Sequence, residues 1–135
     1  MAHKFRSGGK YKLTVPENFD WPREPHVYLN LSGSEIIIEK GVTFSSGVYV
    51  ITHSHHFNKS NWRDLPRIRY KKPTVFKKYC FIGINSIILA TCKIIGEYSV
   101  IGSGSIVTKN IPPYEMWAGN PAKKIGEVEI VKDKK

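Results

Sequence analysis

Branched apolar and aromatic residues recur at every sixth position through much of this chain. The repeat occurs in three runs: Ile38, Phe44 and Val50; Phe76, Ile82 and Ile88; and Ile95, Ile101 and Val107. A period of six fits neither the 3.6-residue repeat of an amphipathic helix nor the alternation of one long strand. It fits strands of two or three residues that are separated by tight corners.

Each six-residue unit is interpreted as one face of a coil. Three faces close a triangular turn in which the recurring apolar residue points to the axis, and stacked coils bury the core that one coil cannot. Glycine directly follows the recurring residue at Gly83, Gly96 and Gly102. We expect these glycines to tolerate the backbone conformations needed near the corners. The pattern predicts an all-β, single-stranded parallel β-helix.

The repeat is interrupted at two places. Between Ile88 and Ile95 the step is seven residues, which we interpret as a one-residue bulge around Thr91, Cys92 and Lys93. After Val50 the repeat is lost over a polar and aromatic segment, which predicts an extruded loop over residues 53–73. Functional residues concentrate on such loops.

The length of 135 residues indicates one domain. Residues 1–28 contain no six-residue repeat and three prolines, and they are expected to form an irregular cap or arm. The β-helix with its extruded loop is expected over residues 29–112. Residues 113–135 follow two consecutive prolines and are expected to form an extended tail.

Composition narrows the class of protein. The formal charge of +10 favours an anionic partner, but no nucleic-acid-binding motif accompanies the basic residues, so nucleic acid is not an expected partner. No segment is apolar enough to span a membrane or to serve as a signal peptide, which predicts a cytoplasmic protein. Cys80 and Cys92 lie in apolar, β-rich segments and are expected to be buried and unpaired.

The C-terminal half resembles a known family. The resemblance is carried by the run IGINSIILATCKIIGEYSVIGSGSIVTKNIPPYEMWAGNPAKKI, which is similar to the C-terminal signature of hexapeptide-repeat acetyltransferases of the maltose, galactoside and capsule-sugar type. It covers residues 76–125 closely and 38–57 more loosely. The resemblance implies a left-handed β-helix, acetyl-CoA as the acetyl donor, and a homotrimer with active sites between subunits.

Three histidines lie close together where the repeat enters the loop: His53, His55 and His56. The text VYVITHSH resembles the family segment that carries the catalytic histidine, which implies His55 as the general base with His53 as the runner-up. Histidine titrates near neutral pH, as proton transfer requires, although loop histidines are also often simply solvated. Zinc sites on this type of coil take histidines from different strands, so no metal is expected here.

The resemblance also implies which residues contact acetyl-CoA. They are Ile84, Ser103, Thr108 and Lys109 along the pantetheine arm, and Asn120, Lys123 and Lys124 at the adenine and phosphate end. The alternative for the three lysines is an ordinary solvated surface. Trp117 replaces a smaller family residue and either lines the cofactor slot or packs a coil corner. Gly126 lies near the place where the family often has a further basic residue.

Loop residues supply the candidate acceptor site. Asn58, Trp62, Arg63 and Arg67 combine aromatic and guanidinium groups that suit sugar faces and phosphates. The predicted function is acetyl transfer from acetyl-CoA to a sugar hydroxyl. The alternatives are N-acetylation of an amino sugar, which can be nucleotide-linked, acetylation of a xenobiotic, and a β-helix scaffold without catalysis.

Overall fold

The computed structural model describes residues 5–21 and 27–132. This part of the chain is almost entirely β, with one 3-10 helix at Trp62–Asp64. Its strands are β1 (Phe5–Gly8), β2 (Leu13–Thr14), β3 (Val27–Asn30), β4 (Ile36–Ile38), β5 (Thr43–Phe44), β6 (Tyr49–Val50), β7 (His53–Ser54), β8 (Ile68–Arg69), β9 (Thr74–Phe76), β10 (Phe81–Ile82), β11 (Ile87–Ile88), β12 (Ile94–Ile95), β13 (Val100–Ile101), β14 (Ile106–Val107), β15 (Glu115–Gly119) and β16 (Ala122–Glu127).

The strands stack into three parallel sheets, which are the faces of a β-helix. Face A contains β1, β3, β6, β11 and β14; face B contains β2, β4, β9 and β12; and face C contains β5, β10, β13 and β15. From β3 to β14 the chain visits the faces in the order A, B, C, and each strand pairs with the strand of the next coil. This topology confirms the predicted all-β parallel β-helix.

The recurring apolar residues form the core of the helix. All nine of them are at most 4% exposed, and the rings of Phe44 and Phe76 pack edge to face at 5.0 Å. Cys80 and Cys92 belong to the same core and are free thiols, as predicted. Burial raises the pKa of each thiol to about 12, so both remain protonated at neutral pH.

Spacing between inward residues differs among the corners of the helix. From face B to C and from C to A, it is six residues in the coils from Ile38 to Trp117. From face A to B it is 9, 26, 7 and 4 residues in successive coils (Leu29 to Ile38, Val50 to Phe76, Ile88 to Ile95 and Val107 to Ile111). We refer to these connections, residues 30–35, 51–73, 89–93 and 108–110, as the A–B corner. Between Leu29 and Trp117, all variation in length occurs there.

The predicted bulge is also part of this corner. The extra residue lies in a turn at Ala90 and Thr91, which is closed by the hydrogen bond from Cys92 N to Leu89 O at 2.9 Å. The flanking strands pair without a register shift. The extra residue therefore lengthens the corner and leaves the sheets unchanged.

The glycines of the repeat have a different role from the expected one. Gly83 does not adopt left-handed backbone; a Cβ there would lie 2.6 Å from the backbone nitrogen of Ser103, so glycine permits close stacking of coils. Left-handed backbone occurs three residues after the inward residue, at Tyr79, Tyr98 and Tyr114. Such backbone costs on the order of 1 kcal/mol, which stacking of these rings at 5.1 and 5.2 Å offsets.

Both ends of the chain correct the sequence-based expectation. In the described part of residues 1–28, β1 pairs with β3 and β2 pairs with β4, so the helix begins before residue 29. The described part of residues 113–135 does not form a simple extended tail, because β15 continues face C beside β13 and β16 returns antiparallel to β15. In each case paired strands cover a sheet edge that would otherwise be open. His3 and His26 lie outside the described residues.

Candidate active site

The long loop leaves the helix at the A–B corner, between β6 and β9. Its base is closed by the antiparallel pair of β7 and β8, in which His53 lies opposite Arg69 and Ser54 opposite Ile68. The 3-10 helix lies between these two strands in the chain. The loop is thus folded on itself, with His53 at its base, next to the coil.

His53 is held by two residues of the preceding coil. Its Nδ1 lies 2.7 Å from Oγ of Ser32 and 3.2 Å from Oδ1 of Asn30. Ser32 donates from its backbone nitrogen and from its hydroxyl to the same Oδ1, at 3.0 and 2.5 Å. Because the Ser32 proton is used in that bond, its oxygen accepts from Nδ1–H of His53. The Nε2 atom is left with a free lone pair, as a general base requires.

The backbone around these residues is fixed by a buried threonine. Oγ1 of Thr52 donates to the carbonyl of Asn30 at 2.6 Å and accepts from the backbone nitrogen of Gly33 at 3.0 Å. A Cβ at Gly33 would overlap the carbonyl of Thr52 and come within 2.8 Å of Cβ of His53. The close contact between the two coils at this point therefore requires glycine.

The surroundings of His53 favour its neutral form. Burial, followed by the positive charges of Arg67 and His55, lowers the pKa of His53 below its ordinary value of 6.5. At pH 7 the imidazole is therefore mostly unprotonated and able to accept a proton.

His55, the histidine that the resemblance favoured, lies in an aromatic cluster. Its ring centroid is 5.3 Å from that of Trp62, 5.4 Å from that of Phe57 and 5.3 Å from that of His53. Within the described part of the chain, the buried Nδ1 of His55 has no hydrogen-bond partner. His55 therefore lacks the side-chain support that fixes the orientation and tautomer of His53.

The predicted acceptor residues are only partly brought together. The guanidinium of Arg63 lies 4.7 Å from the ring of Trp62, which in turn packs on His55. Arg67 is close enough to His53 to affect its pKa. Asn58 is exposed, and its position gives no sign of a shared site with these residues.

The predicted cofactor residues fall into two groups on different corners. Thr108 and Lys109 lie at the A–B corner, whereas Ile84 and Ser103 lie at the corner between faces C and A. At the latter corner, Ile84 is 47% exposed and its carbonyl accepts from Gly104 N at 2.7 Å. The two groups are on separate edges of one chain.

A cavity of about 710 Å³ opens at the A–B corner. Its walls include Lys72, Lys93 and Lys109, together with the apolar side chains of Val75 and Ile94. Among the described residues that line it, none is acidic. A cationic cavity with an apolar wall suits a ligand that combines a phosphate with an uncharged arm.

The tail residues differ in how far they are free to bind a phosphate. Lys124 pairs with Glu115 at 3.3 Å and with Glu127 at 3.6 Å, and the hydrogen bond to Glu115 raises the pKa of its ammonium. Lys123 and Asn120 are exposed. Lys124 therefore already has carboxylate partners within its own chain.

Trp117 closes the end of the core. Its ring packs against the buried cluster, and its Nε1 donates to Oε1 of Glu115 at 2.9 Å. Nζ of Lys109 lies 5.9 Å from the ring centroid. Of the two interpretations offered by the sequence, packing within the coil is the one that these contacts favour.

The residues around His53 that the sequence analysis missed are Asn30, Ser32 and Thr52. Asn30 and Ser32 flank Leu31 directly after a buried strand, one coil before His53. Polar residues at the same corner of neighbouring coils can indicate a site. Here that signal becomes readable only when the 21-residue separation of Ser32 and His53 is known to span one coil.

In residues 5–21 and 27–132, no three His, Cys, Asp or Glu side chains are grouped as metal ligands would be. The same residues contain no helix of the length and apolarity needed to cross a membrane.

Comparison with known proteins identifies relatives of one kind. No family model matches the chain. Over 55 residues it is 51% identical to the dTDP-3-amino-3,6-dideoxy-alpha-D-galactopyranose 3-N-acetyltransferase of Aneurinibacillus thermoaerophilus, a match that covers 41% of this chain and 28% of that protein. The chain thus spans less than a third of the length of this curated relative.

Solved structures share the fold over nearly the whole chain. The maltose O-acetyltransferase from Clostridium difficile 630 matches with a TM-score of 0.67 at 26% identity, over 93% of this chain and 67% of that one. A galactoside acetyltransferase in complex with coenzyme A matches with a TM-score of 0.69 at 24% identity, over 93% and 64%. The homologues and structural neighbours of this chain are hexapeptide-repeat acetyltransferases, and the chain shares their left-handed parallel β-helix fold.

Proposed function

We propose that this chain is an acetyl-CoA-dependent acetyltransferase that modifies a sugar, with His53 as the general base. The geometry of His53 carries the proposal, because Nδ1 is held by Ser32 while Nε2 is free. Two relatives support the choice of substrates. One is an N-acetyltransferase of a dTDP-linked amino sugar, and another is a galactoside acetyltransferase with bound coenzyme A.

The proposed reaction is a direct transfer without a covalent enzyme intermediate. Nε2 of His53 accepts the proton of the acceptor hydroxyl as the oxygen attacks the thioester carbonyl. The C–S bond then breaks, and the thiolate of coenzyme A takes the proton back from His53. The hydrogen bond from Nδ1–H to Ser32 stabilises the imidazolium that exists between these two steps.

The placement of the cofactor residues supports a homotrimer. In one chain, Lys109 and Ile84 lie on different corners. If the A–B corner of one copy meets the corner between faces C and A of a second copy, a single coenzyme A can contact Lys109 of the first copy and Ile84 of the second. Cyclic symmetry repeats such a contact around a closed ring. Face A, which joins these corners, carries an outward apolar stripe that is suited to a subunit contact: Tyr28, Tyr49, Ile87 and Ile106.

The donor is proposed to occupy the lysine-lined cavity at the A–B corner. Lys109, which the resemblance implied as a cofactor contact, lines this cavity, and Lys72 and Lys93 line it as well without having been predicted. Lys72 and Lys109, with no acidic group among the described lining residues, suit the phosphates of coenzyme A. The ammonium of Lys93 is instead engaged by Ser34 and Thr74. Lys124 contributes less than predicted, because Glu115 and Glu127 already neutralise it.

The loop favours an acceptor with a ring and a negative charge. Trp62 offers an aromatic face beside the two histidines, and Arg63 and Arg67 add positive charge to it. A hydroxyl of such a sugar is the leading acceptor. The amino group of a nucleotide-linked sugar is the second candidate, which the dTDP-sugar relative favours.

An acceptor screen with acetyl-CoA tests the function directly. The release of free thiol is measured with neutral sugars, sugar phosphates and nucleotide-linked sugars or amino sugars. The proposal predicts thiol release that depends on an acceptor of the anionic group and is lost in His53→Ala. Mild alkali then separates the two candidates, because it removes an O-acetyl ester and leaves an N-acetyl amide intact.

A binding measurement separates the enzyme from a β-helix scaffold. Acetyl-CoA at saturating concentration raises Tm if the cavity binds the donor. No shift in Tm, together with no thiol release from any acceptor, would reject the acetyltransferase and favour the scaffold.

A further inference from the structure

The ammonium of Lys93 contacts three separate segments at the A–B corner. Nζ donates to Oγ of Ser34 and to Oγ1 of Thr74, each at 3.2 Å. It also lies 5.1 Å from the ring centroid of Tyr70. The three partners belong to the first described corner connection, to the start of β9 and to the long loop, respectively.

None of these contacts is with a carboxylate. The ammonium donates to two hydroxyls and lies over an aromatic ring, which is a favourable position for a cation. In the part of the chain that the structure describes, Lys93 forms no ion pair. Burial lowers the pKa of this ammonium. A half-buried cation with only neutral partners is costly, so its retention indicates a role other than surface charge.

Each partner of Lys93 is connected to His53. Ser34 is two residues after Ser32, which holds Nδ1 of His53. Thr74 is the residue at which the loop rejoins the helix. Tyr70 directly follows β8, in which Arg69 lies opposite His53 of β7. One side chain thus links the segment that follows Ser32 to the C-terminal end of the loop.

The extra residue of this corner places Lys93 within reach. Its backbone nitrogen and that of Ile94 donate to Oδ1 of Asn110, at 2.7 and 3.1 Å. With the backbone anchored to the next coil, the side chain extends across the two preceding coils to Thr74 and Ser34. Lys93, which lies in the seven-residue step between Ile88 and Ile95, can therefore reach both preceding coils with its side chain.

We propose that Lys93 is a positioning residue, which clamps the loop and the Ser32 support so that His53 points at the acceptor. This inference rests on the proposed function for its catalytic consequence, but the clamping itself does not require acetyl transfer. Lys93 acts through Ser34, Thr74 and Tyr70, which are the contacts of its ammonium.

Hydrogen exchange in Lys93→Met and Lys93→Arg tests the clamp. In Lys93→Met, amides of residues 53–73 are expected to exchange about tenfold faster or more, because this segment loses its link to the coil, whereas amides of β12 and β13 stay protected. Arginine retains the charge and restores part of the protection. Lys71→Met is the matched control, since Lys71 is an exposed lysine of the same loop. Unchanged exchange in Lys93→Met would overturn the clamp.

Kinetics then separate positioning from donor binding. In Lys93→Met, kcat is expected to fall roughly tenfold to 100-fold, as a misplaced base predicts, with the Kd of acetyl-CoA unchanged. Weaker acetyl-CoA binding with normal loop protection would make Lys93 a donor-binding residue instead. Should Lys93→Met fail to fold, Thr74→Val removes one of its acceptors at constant shape and is expected to speed exchange in the same segment. If the clamp holds but no acceptor is acetylated, only the proposed function fails.

Discussion

The two kinds of corner in this β-helix satisfy their buried hydroxyls differently. At the regular corners, Ser86 and Ser105 donate to the carbonyl of Gly102, and Ser99 donates to that of Gly96. At the A–B corner, Ser32 bonds to His53, and Ser34 and Thr74 bond to Lys93. The serines of the regular corners donate to backbone carbonyls. The irregular corner also has a hydroxyl that bonds to backbone, that of Thr52, but in addition it uses hydroxyls to hold the side chains of His53 and Lys93. We expect stability to depend mainly on the regular corners and the proposed chemistry on the A–B corner.

The largest effect is expected from the regular core. Phe76→Ala removes a fully buried ring that packs on Phe44 and should cost about 3–5 kcal/mol of unfolding free energy. Phe57→Ala in the loop removes a ring that is 63% exposed and should cost less than about 1 kcal/mol. Urea unfolding measures both. Equal losses of unfolding free energy in the two variants would show that the loop stabilises the chain as much as the helix core does.

The next effect is expected where the irregular corner is packed most tightly. Gly33→Ala forces a Cβ into the carbonyl of Thr52 and should destabilise the chain by about 1–3 kcal/mol. Because Cβ of His53 is also displaced, acetyl transfer should fall roughly 100-fold. Gly8→Ala is the control, since its Cβ would make ordinary contact at 3.5 Å with Tyr28. Full activity in Gly33→Ala would show that the corner adjusts without moving His53.

A matched pair of serine variants sharpens the comparison. Ser32→Ala and Ser99→Ala each remove one hydroxyl and should each cost about 1 kcal/mol of stability. Only Ser32→Ala should lower kcat, by roughly tenfold to 100-fold, because it removes the acceptor of Nδ1–H. Thermal unfolding and steady-state kinetics measure the two effects. Equal losses of kcat in both variants would mean that the hydroxyls act on activity through stability alone.

The smallest effect is a shift in the pH profile. Activity requires neutral His53, so kcat/KM should fall as the pH drops through a pKa that lies below 6.5. Arg67→Gln removes a positive charge that opposes protonation, so the acid limb should move to higher pH. Arg69→Gln is a suitable control, since Arg69 is not among the groups that shift this pKa. An acid limb that does not move in Arg67→Gln would place the base elsewhere.

The sequence predicted the regular part of the molecule better than the irregular part. The apolar residues that recur every six positions between Ile38 and Val107 determine the fold, because each six-residue unit folds in the same way as its neighbours. The repeat did not predict β1 and β2, which join the sheets although their residues show no six-residue repeat. It also failed for β16, whose antiparallel return depends on a turn and not on the repeat.

For the candidate site, the sequence offered single residues but not the contacts between them. The loss of register after Val50 directed attention to the histidines of the loop, which include His53. The choice between His53 and His55 depends on Asn30 and Ser32, which lie 23 and 21 residues before His53 and meet it only because the coils stack. Lys93 is 59 residues from Ser34. Contacts between residues so far apart in sequence depend on which residues of neighbouring coils lie side by side. The spacing of apolar residues does not predict this at the A–B corner, because the length of that corner varies from coil to coil.

The central claim is that His53, and not His55, is the base held by the irregular corner. The most direct test is kcat/KM of His53→Ala beside that of His55→Ala, with the acetyl-CoA Kd of each as a check on binding. The account predicts a loss of about 100-fold to 10,000-fold for His53→Ala at unchanged Kd, and a loss of less than about tenfold for His55→Ala, which removes only ring packing. The opposite order, with His53→Ala near the wild-type rate and His55→Ala inactive, would contradict it.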